Sequence, residues 1–386
     1  SRTRELRISC KTTRLDQRVK SDGTTQMSLP HGIVDSEQAP HRFQSRFYPE
    51  IVLSARMIVY RNLRNIPFPN RLPDREYAMI SHQVLDSLHA DPRWRESCFQ
   101  LEAEQLEQKD ADLLSERQFG DTDFFHRKCG SMFLKHDLST VVYSGGSDHV
   151  KWTAQGTGVC FRQLADAFHR DSFVFAELPF ASDDSIGFFT SDLHDAGGVR
   201  FYSILHLPAA FYSDGFAKIA TELSSAGFQL TSLYGQLHPP PGALGLLTHK
   251  QCAGISVNEL AERMEHGAFL LARWERAARR AMLREAKTRI QDMIARGFGI
   301  LKHARSISRE EFIALHSALR IGVDLGWIRG VTSGHVNRLV ERAGIAYLRY
   351  TLSETAPEFD PDAARAKVIR DTMANARLVF DESLEG

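Results

Sequence analysis

An aspartate and a histidine stand side by side at Asp148 and His149, shortly after the β-favouring run 139–143. A carboxylate beside an imidazole could act as an acid and base pair, or the two could form a hydrogen-bonded structural pair beneath a sheet. We favour the structural pair, because isolated neighbours of this kind are a weak signal of a catalytic site. The glycines at 145 and 146 lack the spacing of a phosphate-binding P-loop and predict a turn.

A second polar stretch lies at 192–198, between two segments that we predict to be strands. The segment 188–190 is aromatic and β-favouring, and 199–207 continues as a strand until Pro208, which cannot donate a hydrogen bond to a sheet. The residues between them begin with Asp192, end with two glycines and have the turn chemistry that a ligand-binding loop needs. We therefore expect a ligand site near this loop.

The order of residues around this loop resembles that of the ATP:guanidino phosphotransferases, or phosphagen kinases, and within them the bacterial protein-arginine kinase (McsB) branch. Those proteins read TSCPxNxGTGxR before a hydrophobic strand that ends in HLP. This chain has TS at 190–191, Arg200, and LHLP at 205–208. Asp192 replaces the reactive cysteine of the family, and the GTG triplet is reduced to two glycines. The resemblance implies a guanidino-kinase fold with an altered chemical centre.

The resemblance also implies a binding site for the phosphates of ATP, with Mg²⁺ as the accompanying ion. Planar guanidinium groups neutralise a triphosphate through paired hydrogen bonds, and the family places several arginines there. Arg56 and Arg200 keep two of these positions, and Lys151 replaces a third. Ile58 and Thr231 replace two further arginines. For Arg200 we keep one alternative, a strand arginine paired with a nearby carboxylate.

The acidic residues that act on the guanidinium substrate in the family are missing. Of the family pattern NEEDHxR the DH pair survives, but Gly146 and Ser147 replace both glutamates. Gln236 replaces the second substrate-binding carboxylate, in a loop stiffened by three successive prolines. Because phosphoryl transfer depends on positioning and charge stabilisation, these losses predict weak or absent kinase activity. A rearranged active site would have to use Asp148 or Asp192 as its base.

A sheet with helices before and after it must position these residues. Apolar residues spaced three and four apart predict helices over 75–88 and 95–118, and the composition becomes β-rich near Phe133. From Ser256 onward the pattern is helical again, with capping boxes at Ser256 and Ser308. This order predicts an α+β fold. The domains that we expect are a disordered polar tail at 1–45, an N-terminal helical lobe at 46–118, an α/β catalytic-type domain with an antiparallel sheet at 119–275, and a C-terminal helical domain at 276–386.

The C-terminal region carries the resemblance to the protein-arginine kinase branch most specifically, since the metabolite kinases lack this domain. The similar segments are 275–280, 299–305 and 319–328. In that branch the domain carries dimer contacts and a phosphoarginine pocket marked by RDxxRA. Here Pro361 replaces the arginine of that pattern and Asp362 is retained. Asp362 is therefore a candidate phosphoarginine ligand, or simply a charge at the start of a helix.

The composition limits the partners, the cysteine chemistry and the cellular location that we expect. Lys+Arg and Asp+Glu both number 48, so the net charge predicts neither nucleic acid nor a membrane surface as a partner. The five cysteines are odd in number and form no CxxC pair, which favours reduced thiols and argues against a metal site. Without an apolar run of about 18 residues or a leader-like start, we expect a cytoplasmic protein.

Three functions remain open. The first is a degenerate protein-arginine kinase homologue that acts as a regulator or scaffold in protein quality control and forms a homodimer. For it, the resemblance implies protein substrates or regulators as partners, among them a McsA-like activator and Clp-type protease machinery. The second is an active protein-arginine kinase with a rearranged site. The third is a phosphoarginine-binding module.

Overall fold

The structure is a computed structural model that describes residues 16–19, 25–34, 43–211, 216–234, 241–352 and 359–380. Within these ranges the helices are α1 (His31–Val34), α2 (Asp74–Ala90), α3 (Pro92–Arg95), α4 (Gln108–Glu116), α5 (Thr122–Arg127), α6 (Phe161–Asp171), α7 (Pro208–Phe211), α8 (Phe216–Ser225), α9 (Val257–His303), α10 (Arg309–Asp324), α11 (Ser333–Arg342), α12 (Ile345–Leu352) and α13 (Pro361–Thr372). The strands are β1 (Asp16–Val19), β2 (Thr25–Ser28), β3 (Val52–Arg61), β4 (Cys98–Glu102), β5 (Ser131–Lys135), β6 (Thr140–Ser144), β7 (Val150–Gly156), β8 (Ser182–Asp183), β9 (Gly187–Phe188), β10 (Val199–His206), β11 (Phe228–Ser232), β12 (Leu244–His249), β13 (Ile328–Arg329) and β14 (Arg377–Leu378). The predicted α+β class is confirmed.

An eight-stranded sheet forms the centre of the molecule. Its strand order is β11-β12-β10-β3-β7-β6-β5-β4, and every neighbouring pair is antiparallel. The ten-residue strand β3 lies in the middle, paired with β10 on one side and β7 on the other. The strand predicted over 199–207 is β10, and it does end at the HLP sequence.

The two faces of the sheet differ in chemistry, because side chains alternate along each strand. On one face Met57, Val59 and Phe201 are buried in a core that also includes apolar residues of α6 and α9. The other face carries Arg56 and Arg200, together with the side chains that pair with them across the sheet. The apolar face holds the fold together, and the polar face is available for a site.

Residues 46–118, predicted to be a helical lobe, contain α2, α3 and α4 but also supply two strands of the sheet. The helix predicted over 75–88 is confirmed as α2. The helix predicted over 95–118 is wrong in its first half, where β4 forms the sheet edge and pairs with β5. Buried Cys98 and Leu101 are three residues apart, a spacing that also fits a helix, and pairing with β5 decides in favour of a strand.

Part of the segment predicted to be a disordered tail is ordered. Strands β1 and β2 pair with each other, and the chain continues into α1. Leu29 and Ile33 are buried in a second apolar core with residues of α4, α5 and β5, and the Leu29 amide donates to the Tyr350 hydroxyl at 3.0 Å. These contacts tie the end of this polar segment to the rest of the fold.

The 47-residue helix α9 joins the sheet to the C-terminal helices. Its first half, including Leu260 and Leu271, belongs to the core beneath the sheet, and its second half, including Ile290 and Ile294, belongs to a separate C-terminal core. The backbone departs from helical geometry at Ala286, between the two halves. The predicted domain boundary at 275/276 thus falls inside one continuous helix. Ser256 and Ser308 cap α9 and α10 as predicted.

Three further features of the described residues concern membrane-spanning helices, metal ligands and cysteines. In the parts of the chain that the structure describes, no helix combines the length and apolar character needed to span a membrane. No group of three or more metal-ligating side chains occurs among the same residues. Four cysteines are free thiols, and burial raises the pKa of both Cys98 and Cys160 to about 12.

Candidate functional site

Strand pairing brings the three predicted phosphate-binding cations onto one face of the sheet. Arg56 lies on β3, where Ile58 and Tyr60 follow it on the same face. Arg200 on β10 lies directly opposite Ile58, and Lys151 on β7 lies directly opposite Tyr60. Directly opposed residues of antiparallel strands share a face, so these cations form one cluster, which we call the cation face (Arg56, Lys151 and Arg200).

Carboxylates of the same chain balance the positive charge of Lys151. Its Nζ donates to Asp121 Oδ2 at 2.6 Å and to Ser147 Oγ at 2.5 Å, and Asp148 Oδ2 lies 3.8 Å away. Asp121 also caps α5 by accepting from the Phe124 amide at 2.9 Å. Burial acts to raise the pKa of the Asp121 carboxyl, but the ion pair and hydrogen bond with Lys151 outweigh it, so this pKa lies below its usual value. Lys151 and Asp121 therefore form an ion pair.

The Asp121 carboxylate fills the space beside Gly146. A Cβ atom on Gly146 would lie 2.7 Å from Asp121 Oδ2, nearer than a real Cβ contact allows. By the resemblance, Gly146 stands where the family has a glutamate. The Asp121 carboxylate lies near that position, but it comes from the N-terminus of α5. The sequence analysis missed Asp121, since its only local signal is that of a helix cap, which says nothing about contacts 30 residues away.

Arg200 is also paired inside the protein. Its Nε donates to Asp195 Oδ1 at 2.7 Å and its Nη1 to the His249 carbonyl at 2.8 Å, while the side chain is only 6% exposed. Its Nη2 is buried and has no hydrogen-bond partner among the described residues. This geometry is the alternative that we kept for Arg200, a strand arginine paired with a nearby carboxylate. Asp195, on the short 3-10 turn Leu193–Asp195, was not singled out in the sequence.

Arg56 has a neutral partner. Both of its terminal nitrogens donate to Gln118, one to the side-chain oxygen and the other to the backbone carbonyl. Burial lowers the pKa of the Arg56 guanidinium, and no carboxylate lies within ion-pair distance of it among the described residues. All three members of the cation face are thus engaged by groups of the same chain.

Asp148 and His149 link the end of β3 to the neighbouring loops. Asp148 Oδ1 accepts from Asn62 Nδ2 at 2.7 Å and from the Ser191 amide at 2.8 Å. His149 Nδ1 accepts from the Leu63 amide at 3.1 Å. Burial lowers the pKa of His149 to about 4, so the imidazole is neutral at pH 7. These contacts are those of a structural pair, and an acid–base role for either residue stays a prediction.

The remaining predicted catalytic residues are Asp192 and Gln236. Asp192 is exposed and accepts from the His194 amide at 2.9 Å, which holds the pKa of its carboxyl below the usual value. It caps the turn that carries Asp195, and the neighbouring Ser191 contacts Asp148. Gln236 lies outside the described residues.

Asp362 belongs to the C-terminal helical domain. Arg365 Nη1 donates to its Oδ1 at 2.5 Å, and the same arginine donates to the carbonyls of Ala343 and Ile307. Asp362 is 43% exposed at its side chain, whereas Arg365 is buried. The contacts are those of a helix-start charge paired with an internal arginine, and phosphoarginine binding stays a prediction.

The cation face does not fit a triphosphate in the arrangement described. Phosphate oxygens would have to displace the carboxylates of Asp121 and Asp195, which repel them at short range. Ile58, between Arg56 and Tyr60 on the same face, offers no donor. Arg200 Nη2 and Arg56 Nε are the buried cationic nitrogens without a partner on this face among the described residues. We therefore derive no phosphoryl-transfer step for this site.

Solved guanidino kinases share this arrangement of an antiparallel sheet and helices, which confirms the guanidino-kinase fold expected from the sequence. Lombricine kinase has a similar fold, with a TM-score of 0.53 and 13% identity over 64% of this chain and 71% of that chain. The family model for the ATP:guanido phosphotransferase C-terminal catalytic domain matches residues 80–278, just over half of the chain. The chain therefore belongs to the ATP:guanido phosphotransferase family.

The C-terminal region is similar to that of the protein-arginine kinases. Residues 287–382 match the family model for the protein-arginine kinase McsB C-terminal domain. The chain is similar to the protein-arginine kinase of Moorella thermoacetica, with 26% identity over 84% of this chain and 94% of the relative. It is also similar to that of Syntrophomonas wolfei, with 29% identity over 84% of this chain and 92% of the relative. The resemblance found in the sequence is confirmed.

Proposed function

We propose that this chain is a catalytically impaired member of the protein-arginine kinase branch, acting as a regulator or scaffold in cytoplasmic protein quality control. The observation that carries the proposal is that each member of the cation face is held by groups of the same chain. Lys151 and Arg200 each pair with an aspartate, and Arg56 binds Gln118. A glycine and a serine occupy the positions of the two glutamates. Such a site offers a triphosphate only one cation, Arg56, that no carboxylate pairs with among the described residues, and it has no base at the expected positions.

Calorimetric titration with Mg·ATP tests the first part of the proposal. The full chain is expected to give no saturable binding. The Asp195→Asn variant keeps the shape of the residue but removes the charge beside Arg200, and it should bind Mg·ATP saturably where the unaltered chain does not. Adding Arg200→Ala to that variant should abolish the gain. Saturable binding by the unaltered chain that Arg200→Ala removes would contradict the proposal.

A phosphotransfer assay tests activity directly. With Mg·ATP and an unfolded protein substrate, the chain is expected to form no acid-labile phosphoarginine on itself or on the substrate. An active relative such as the Moorella thermoacetica protein serves as the positive control. Acid-labile phosphoarginine produced by this chain would rule out catalytic impairment.

The second candidate function is an active protein-arginine kinase with a rearranged site. One observation favours it: the Asp121 carboxylate lies against Gly146, near the place of a family glutamate. For this function Asp121 would orient the guanidinium substrate, and Asp121→Asn would abolish phosphoarginine formation. Persistent activity in Asp121→Asn would exclude Asp121 from that role and return attention to Asp148 and Asp192.

We further propose that the chain forms a homodimer through its helical domain and binds a McsA-like activator or Clp-type protease machinery. Support comes from the match of residues 287–382 to the C-terminal domain of protein-arginine kinases. Light scattering on the full chain would give the oligomeric state, and titration with a purified activator and protease would measure binding. A monomer that binds neither would contradict the scaffold role.

A further inference from the structure

A cavity of about 480 Å³ lies beneath the sheet, on the face opposite the cation face. It opens between β3, β7, α6 and the segment 172–180. Its walls are mostly apolar and aromatic, with the side chains of Val59, Trp152, Phe168, Phe175, Phe180 and Phe188. Arg61 is the charged residue among those that line it. Neither the predicted phosphate site nor the predicted phosphoarginine site uses this cavity.

Arg61 has no acidic partner. Its Nη1 donates to the carbonyls of Tyr60 and Gly198, both at 2.8 Å, and its guanidinium carbon lies 3.5 Å from the centre of the Phe188 ring and 5.6 Å from that of Phe168. The residue is 8% exposed, and no carboxylate lies within ion-pair distance among the described residues. Burial lowers the pKa of Arg61 to about 9, and no carboxylate offsets that burial.

A purely structural role accounts for one part of this guanidinium. The two carbonyls are both bound by Nη1, which fixes Gly198 at the end of the loop that carries Asp195. Nε and Nη2 make no hydrogen bond to the described residues and are not among the fully enclosed nitrogens, so a molecule in the cavity can reach them. An anion that entered the cavity could bind these nitrogens and balance the charge of Arg61.

The chemistry of the cavity walls indicates which class of anion fits the cavity. A phosphate or nucleotide carries several polar oxygens, and the aromatic and aliphatic walls offer them no donors. A carboxylate matches the planar guanidinium, and an apolar body matches the walls. The volume lies within the range of small-molecule sites. We propose that this cavity binds a small monocarboxylate with an apolar body, a medium-chain fatty acid or an aryl carboxylate, with its carboxylate on Arg61.

The proposal is independent of the proposed function, and it is tested on the full chain by calorimetry and tryptophan fluorescence, since Trp152 forms part of the wall. Octanoate and 3-phenylpropionate are the two probes, and they separate fatty acids from aryl carboxylates. Octanol supplies the apolar body without charge, and acetate supplies the charge without the body. At least one probe should bind saturably and about tenfold or more tighter than octanol, acetate and inorganic phosphate.

Three variants locate the site. Arg61→Met should weaken probe binding by about tenfold or more, whereas Arg64→Met, at an exposed arginine nearby, should leave it unchanged. Ala176 lines the cavity and is exposed, so Ala176→Trp should obstruct its opening and abolish binding without touching Arg61. If Arg61→Met does not fold, Ala176→Trp alone decides. Probes that bind no tighter than octanol, or that bind Ala176→Trp as they bind the unaltered chain, would overturn the proposal.

Discussion

At the scale of single residues, two aspartates determine the chemistry of the cation face. Asp121 and Asp195 lie 2.6 and 2.7 Å from the nitrogens of Lys151 and Arg200, in places where those cations are almost fully buried. Breaking a buried ion pair by removing one partner typically costs about 3–5 kcal/mol. A phosphate group that entered here would have to displace both carboxylates and offset that cost. The pairing is the physical reason for our proposal that the retained cations do not by themselves make a nucleotide site.

The contact between Asp121 and Gly146 makes a testable prediction. Gly146→Ala should lower the free energy of unfolding by about 1–3 kcal/mol, because the new Cβ would lie 2.7 Å from an Asp121 oxygen. In an Asp121→Ala background the same change should cost clearly less. Urea unfolding of the two single variants and the double variant measures the coupling. The control is Gly299→Ala on α9, where nothing lies within 4 Å and the change should be neutral or stabilising. Additive effects would show that the two sites do not touch.

At the scale of elements, α9 is tied to the sheet by a buried polar network. Glu275 is fully buried and accepts from the amides of Ala209 and Ala210 at 3.1 and 2.9 Å, at the start of α7. Arg279 donates to Glu275 at 2.7 Å and to His206 Nδ1 at 3.1 Å. His206 belongs to the HLP sequence at the end of β10. The network therefore gives a structural reason for the histidine of the HLP sequence.

Removing the charge of Glu275 should strongly destabilise the protein. Glu275→Gln places an amide NH₂ among donors and leaves Arg279 partly unpaired, so the free energy of unfolding should fall by about 3 kcal/mol. Glu262→Gln is the matched control on the same helix, because its side chain is 59% exposed near Arg162 and should contribute less than about 0.5 kcal/mol. Chemical denaturation of both variants measures the difference. Equal effects would mean that the buried network does not hold α9 to the sheet.

At the scale of the whole molecule, several histidines are buried in neutral form in different parts of the fold. Burial lowers the pKa to about 4 for His149, His249 and His316, and lowers that of His206 well below its usual value. His149 lies behind the cation face, His249 on β12, and His316 on α10 against the Val336 carbonyl at 3.0 Å. Protonation of any of them places a charge among apolar groups, so acid should destabilise the sheet and the helical domain together.

Stability should therefore fall as the pH falls from about 6.5 to about 4. In the unfolded chain these histidines bind protons near pH 6.5, whereas in the folded chain they do so only near pH 4, so acid favours unfolding. Each contributes a slope of up to about 1.4 kcal/mol per pH unit in this window. Urea unfolding between pH 7.5 and pH 4 checks this, and His316→Gln should reduce the slope. A flat profile in this window would contradict the prediction.

The sequence by itself determined the features that depend on local pattern. β-favouring residues up to Pro208 predicted β10, and apolar residues three and four apart predicted α2. Serines at 256 and 308 predicted the caps of α9 and α10, the order of helical and β-rich segments predicted the α+β fold, and the motifs predicted the family. The identity of the residues at 146 and 147 was enough to predict the loss of the catalytic glutamates. Such features are encoded within a few residues of each other, so one chain segment carries the whole signal.

Only the tertiary structure decided what each charged group contacts. Asp121 reaches Lys151 across 30 residues, and Leu29 reaches Tyr350 across 321. No local pattern in the sequence predicts either contact, and the polar residues around Leu29 predicted disorder instead. Strand register placed Arg56 and Arg61 on opposite faces of the sheet, one on the cation face and the other in an apolar cavity. Their chemistry differs because the surroundings differ, and the sheet and its helices supply those surroundings only once the chain has folded.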